Sequence, residues 1–165
     1  MAIFKPKQIL NRYTDLDIQN LKDRGFKTVF IDIDNTIAYP DSGEFTDEAK
    51  QFTKNIKKAG MKPIIVSNNT RKRVKNFVGD EDIDYVYMAM KPIPVAFWIS
   101  CIKNKVKPSK CVAMGDQIMT DMVAANLSGC YGIYCKKLHD TDTALTSINR
   151  VFEKIIWRIG NYDKM

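Results

Sequence analysis

The chain has 165 residues, 45% of them hydrophobic, which suits one domain with a sizeable core and excludes a disordered polymer. Its formal charge of +7 favours anionic partners (phosphate esters, nucleic acid or an acidic membrane surface) without choosing among them. Four cysteines, Cys101, Cys111, Cys130 and Cys135, form no Cys-x-x-Cys pair, and His139 is the single histidine, so the usual zinc spacings and any mechanism needing several histidines are excluded.

Taken in order, the N-terminus carries no apolar signal-peptide core, and no uninterrupted apolar run is long enough to span a bilayer. The expectation is a soluble, cytoplasmic protein with one domain over residues 1–165. Thr14 with Asp17 three residues later predicts a helix start, with Ile18 and Leu21 on its apolar face and Gly25 at its end. Residues 26–33 read as the first strand. Its centre, Val29-Phe30-Ile31, is apolar on both faces, as in a sheet covered on both sides. It runs into Asp32 and Asp34, whose i, i+2 spacing turns both carboxylates the same way. Two carboxylates so close repel unless one is protonated or a cation separates them, and a hard dication such as Mg2+ resolves that conflict. Asn35 and Thr36 follow, then a loop over residues 39–43.

Thr46 or Asp47 caps a helix whose apolar face is Ala49, Phe52, Ile56 and Ala59, ended by Gly60. Residues 63–66 form the second strand, breaking into Ser67-Asn68-Asn69-Thr70. A basic helix follows, with Arg71, Lys72, Arg73 and Lys75 around Val74, Phe77 and Val78. Residues 85–88 are a third strand, with Lys91-Pro92 just beyond, and residues 94–102 read as a buried helix. Residues 111–114 are the fourth strand, ending at Gly115-Asp116. Residues 120–127 are helical up to Gly129, and residues 131–135 are the fifth strand. Residues 136–143 read as a polar loop, and a last helix is predicted at about residues 147–159.

Strand and helix alternate throughout, which predicts an α/β fold: a parallel sheet with helices on both faces. Four successive strand ends bring Asp32 with Asp34, Ser67 with Asn68, Lys91, and Asp116 with Asp121 toward the crevice where such sheets bind ligands. A carboxylate nucleophile, a second acid for proton transfer, a fixed ammonium and a third carboxylate for a metal suffice for phosphoryl transfer without histidine. The charge also admits a second reading, a non-enzymatic basic module binding nucleic acid or another anionic partner, although no nucleic-acid motif or stacking platform is evident.

Asp32-Ile33-Asp34-Asn35-Thr36, Val66-Ser67-Asn68-Asn69, Lys91-Pro92 and Gly115-Asp116-Gln117-Ile118-Met119-Thr120-Asp121 resemble the four motifs of the haloacid dehalogenase (HAD) superfamily phosphatases. Together with Ile148-Asn149-Arg150, they resemble more narrowly the YqeG-type family of subclass IIIA. The resemblance implies a HAD-like Rossmannoid three-layer sandwich and a Mg2+-dependent phosphatase working through an aspartyl-phosphate. It implies that Asp32 is the nucleophile and a metal ligand. Asp34 is then the acid/base, with its carbonyl on the metal, and Thr36 orients Asp34. Ser67, Asn68 and Lys91 bind the phosphorylated substrate, Asp116 is a metal ligand, and Asp121 supports the metal site or Lys91. No domain-sized insertion separates Thr36 from Ser67 or Ser67 from Lys91, so the enzyme is expected to be capless, with an open site suited to a large substrate. Relatives of this type include phosphatidylglycerophosphate phosphatases, so a lipid headgroup is the implied substrate. On the last helix, Ile148, Val151, Phe152, Ile155, Ile156 and Ile159 share a face, and Trp157 lies near the basic flank of Arg150, Lys154 and Arg158. Packing on the sheet is the preferred reading of that helix, and peripheral contact with an anionic membrane is the other.

Overall fold

The computed structural model of the protein describes residues 2–40 and 42–138. The expectations for His139, the helix at residues 147–159 with Trp157, and Ile148-Asn149-Arg150 therefore lie outside the described residues. The elements in chain order are β1 (Gln8–Leu10), α1 (Ile18–Asp23), β2 (Thr28–Ile31), α2 (Asp47–Lys58), β3 (Lys62–Val66), α3 (Arg71–Val78), β4 (Asp84–Val86), α4 (Val95–Lys103), β5 (Cys111–Gly115), α5 (Val123–Ser128) and β6 (Tyr131–Cys135).

The strands form one six-stranded sheet, ordered β1-β6-β5-β2-β3-β4, and every pairing is parallel. β2 lies at the centre, hydrogen-bonded to β5 on one side and β3 on the other. All four of its residues are buried, because alternate side chains enter different layers. Val29 and Ile31 join one core with Leu21, Phe52, Ile56, Val74 and Phe77, so α1, α2 and α3 cover that face. Phe30 points the other way and meets Phe97 of α4 edge-on at 5.1 Å, within a core shared by Ala124 and Ala125 of α5. The three-layer α/β reading holds.

Local chemistry sets the helix limits. Thr46 caps α2 by accepting from Ala49 N, and Thr70 caps α3 by accepting from Arg73 N. Asp17 is itself the cap of α1, accepting from Asn20 N, so that helix starts later than the Thr14 reading placed it. The first strand is shorter than residues 26–33, and both acids lie just past its end. The third strand covers Asp84–Val86 rather than residues 85–88. Strand β1 has no counterpart in the sequence reading. Three residues are too few to show a period, and pairing with β6 defines them. The helix expected at residues 120–127 is two pieces, a π-helical turn at Ile118–Met122 running into α5. The helix at residues 94–102 is not buried all round: Ala96, Phe97, Ser100 and Cys101 face the core, while Val95, Trp98, Ile99 and Ile102 face solvent. All four cysteines are buried free thiols.

Candidate active site

The ladder extends past β2 on the β5 side, where Asp32 N donates to Met114 O at 3.0 Å. That contact sets Asp32 beside the Gly115-Asp116 end of β5. On the other side, Ser67 N donates to Val86 O and Ala89 N donates to Ser67 O, drawing the segment after β4 inward with Lys91 on it. Asn68 then fixes that segment from both ends of its amide. It accepts from Lys91 N at 2.8 Å and donates to Lys91 O at 3.0 Å. The side chain of Asn68, a residue expected at the substrate, grips the Lys91 backbone.

The Lys91 ammonium is buried and contacts Asp32 Oδ1 and Asp121 Oδ1, each at 2.6 Å, as well as Val66 O at 3.1 Å. Asp116 is fully buried. Asp32, Asp116 and Asp121 each offer a carboxylate oxygen, all within 4.8 Å of one another. Asp121 reaches this cluster through the π-helical turn, where its other oxygen accepts from Gln117 N at 3.1 Å. An extra residue in a helical turn is a common device at functional sites, since it re-aims a side chain that regular spacing would turn away. Gly115 leaves the room: a Cβ there would lie 2.2 Å from Asp121 Cγ.

Charge and burial compete here. The Asp32 carboxyl stands at about 7, the balance of burial, which raises it, Lys91, which lowers it, and Asp121, which raises it. For Lys91, burial works against its charge, but Asp121 and Asp32 outweigh it and hold the ammonium above the usual lysine range. Three carboxylates thus gather in a buried place with little water. Clustered hard oxygen donors of this kind fit a dication such as Mg2+.

Asp34 occupies a separate, half-buried position at the mouth. The backbone turns sharply after β2: Thr36, Ile37 and Ala38 all donate to Ile33 O, and Asn35 takes a left-handed φ of 59°. Asp34 Oδ1 accepts from Arg73 at 2.6 Å and Oδ2 from Asn69 Nδ2 at 2.6 Å. Asn69 also donates from its backbone N and its amide to Ser67 Oγ, both at 3.1 Å. Thr36 was expected to orient Asp34. Its hydroxyl instead lies 3.4 Å from Asp32 Oδ2, and Asn69 and Arg73 orient Asp34. Sequence reasoning gave Asn69 no role and left that of Arg73 open. A signal was present, because the first turn of α3 carries Arg71, Lys72 and Arg73 and no acid, against the helix dipole. Cations placed there point back toward the strand ends.

The parallel sheet covered on both faces, with acids and a lysine gathered at its carboxyl edge, is the arrangement of a HAD-type phosphatase. The family model described as mitochondrial PGP phosphatase matches residues 2–138, and the chain belongs to that family. It is 31% identical over 153 residues to the "Probable phosphatase YqeG" of Bacillus subtilis (strain 168), covering 93% of this chain and 89% of that protein. A crystal structure of an uncharacterized protein from Listeria monocytogenes serotype 4b shares the fold, with a TM-score of 0.55 and 18% identity over 72% of this chain and 86% of that one. The chain is thus a phosphatase acting on a phosphorylated substrate. The alternative of a non-enzymatic basic module is set aside. Among the described residues, no helix is long and apolar enough to cross a membrane.

Proposed function

We infer that the protein hydrolyses a phosphate monoester in a Mg2+-dependent reaction through an aspartyl-phosphate on Asp32, and that its substrate is phosphatidylglycerophosphate. The observation that carries this reading is the buried Lys91 ammonium, 2.6 Å from both Asp32 and Asp121 with Asp116 alongside. Such a constellation gathers a nucleophile, a phosphoryl-binding cation and a metal-ligating acid in one small volume.

Asp32 and Asp116, with the Asp34 carbonyl, would hold the Mg2+, and Asp121 would anchor Lys91 beside it. When bound, the metal supplies charge neutralisation to the phosphoryl oxygens. An Asp32 oxygen attacks phosphorus, the bond from phosphorus to the leaving oxygen breaks, and the leaving alkoxide takes a proton from Asp34. Water then attacks the aspartyl-phosphate. Asp34 accepts the water proton, phosphate departs and the Asp32 carboxylate is restored. Lys91 balances charge on the transferring oxygens, and Ser67, which accepts both bonds from Asn69, has its own O–H to donate to one of them. Arg73 pairs with the carboxylate form of Asp34. An incoming phosphate is a natural second partner for the Arg73 guanidinium. The family's name supports the lipid substrate, and so does the absence, among the described residues, of a domain-sized insertion over the site. Phosphate release should be compared across phosphatidylglycerophosphate, nucleotides and sugar phosphates, with and without Mg2+. The lipid should be the preferred substrate, with no release from any of them without the ion. A sugar phosphate hydrolysed far more efficiently than the lipid would overturn the substrate assignment.

A further inference from the structure

From the loop after β4 along the outer side of α4 runs an apolar surface that the described residues leave uncovered: Met88, Met90, Ile93, Ile99 and Ile102, the last 77% exposed. These side chains are not scattered. Met88 and Met90 sit just before Lys91, and Ile93 just after it, on the rim that carries the active site. Both methionines take left-handed backbone angles, φ 46° and 54°, a conformation that costs about 1 kcal/mol or more for residues with a Cβ. On α4, Val95, Ile99 and Ile102 fall at i, i+4 and i+7, one stripe opposite the stripe that packs on Phe30. A helix apolar on both sides normally has both covered.

The charge around this surface selects its occupant. Lys103, Lys105, Lys107 and Lys110, all exposed, follow along the end of α4 and the segment after it, and the sequence between Asp84 and Asp116 has no acidic residue. Arg71 borders the other end, its guanidinium 5.8 Å from the Tyr87 ring centroid. A second copy of this chain would bring the same excess of positive charge and be repelled. An anionic bilayer complements both the apolar side chains and the cations. We propose that the loop carrying Met88, Met90 and Ile93 and the outer face of α4 form a docking surface that seats the protein on an anionic lipid bilayer beside the active site. The proposal deepens the lipid-substrate reading and rests on it. Seated this way, the apolar side chains enter the acyl boundary, and the crevice at Lys91 opens at headgroup level. The substrate then presents its phosphate without leaving the membrane.

The test is flotation of the full chain with vesicles of phosphatidylglycerol and phosphatidylcholine, and with vesicles of phosphatidylcholine alone. The wild type should float with the anionic vesicles only. Ile99→Glu/Ile102→Glu should lower that binding about tenfold or more, since two apolar anchors become anions. Lys103→Gln/Lys107→Gln should weaken it less and reduce its dependence on salt. Neither pair should alter hydrolysis of p-nitrophenyl phosphate, a soluble substrate that reports an intact fold and site. Equal flotation of wild type and Ile99→Glu/Ile102→Glu would overturn the proposal. So would a wild type that ignores anionic vesicles, or one that is dimeric and becomes monomeric in that variant. Hydrolysis of phosphatidylglycerophosphate in detergent separates the two readings. Activity there without vesicle binding removes the docking surface and leaves the substrate assignment, and vesicle binding without that activity does the reverse.

Discussion

At the scale of single residues, one ammonium group holds the site together. Lys91 is packed against two carboxylates from different elements, and removing it leaves Asp32 and Asp121 facing each other in a buried place. Breaking a buried pair from one side costs about 3–5 kcal/mol. Lys91→Met should therefore lower the metal-free unfolding free energy by about that amount, measured by urea titration, and also abolish turnover. A variant as stable as wild type would contradict the pairing. Asp34 depends on Arg73 and Asn69 in a different way, through orientation. Arg73→Ala should reduce kcat about 10- to 100-fold while leaving the fold unchanged, because a misplaced acid/base loses much of its contribution. Steady-state kinetics beside a thermal melt check it. An unchanged kcat would remove Arg73 from the catalytic arrangement.

At the scale of elements, the strand ends were legible in the sequence and the turns around them were not. Val29-Phe30-Ile31 running into Asp32 announces a buried strand delivering an acid, because only a strand apolar on both faces ends so abruptly in charge. Which partner each polar side chain takes depends on distances between segments, and no local pattern carries those. Thr36 thus turns to Asp32 rather than Asp34, and Asn68 spends its amide on the Lys91 backbone. The outer face of α4 was misread for a related reason: apolar residues on both sides of a helix predict burial, and only the fold shows which side lacks a neighbour among the described residues. The π-helical turn is another such case, since one extra residue leaves no mark on the hydrophobic period. It also yields a prediction. Gly115→Ala would place a Cβ 2.2 Å from Asp121 Cγ, so the turn must move. Destabilisation of about 1–3 kcal/mol is expected, with loss of activity as Asp121 leaves Lys91. An active, equally stable variant would show that the close approach is immaterial.

At the scale of the whole molecule, the carboxylates that the sheet gathers at one edge couple stability to pH and to metal. In the ion-free protein the Asp32 carboxyl rises from 3.8 to about 7, chiefly through burial. A carboxyl that holds its proton more tightly when folded destabilises the fold as pH climbs through that window. If Asp32 holds Mg2+ as proposed, the ion competes with that proton, and its stabilisation should be larger at pH 8 than at pH 5, by on the order of 1–3 kcal/mol. Thermal melts with and without Mg2+ at the two pH values check the sign, and a larger gain at pH 5 would contradict it. The central claim, that Asp32 carries the phosphoryl group, is tested most directly by acid-quenching the protein during turnover with Mg2+ and mapping the covalent phosphate by peptide mass spectrometry. A phosphoryl group on the Asp32 peptide, labile to hydroxylamine and absent from Asp32→Asn, is the predicted result. Sustained hydrolysis by Asp32→Asn, or a phosphoryl group on any other residue, would contradict the account.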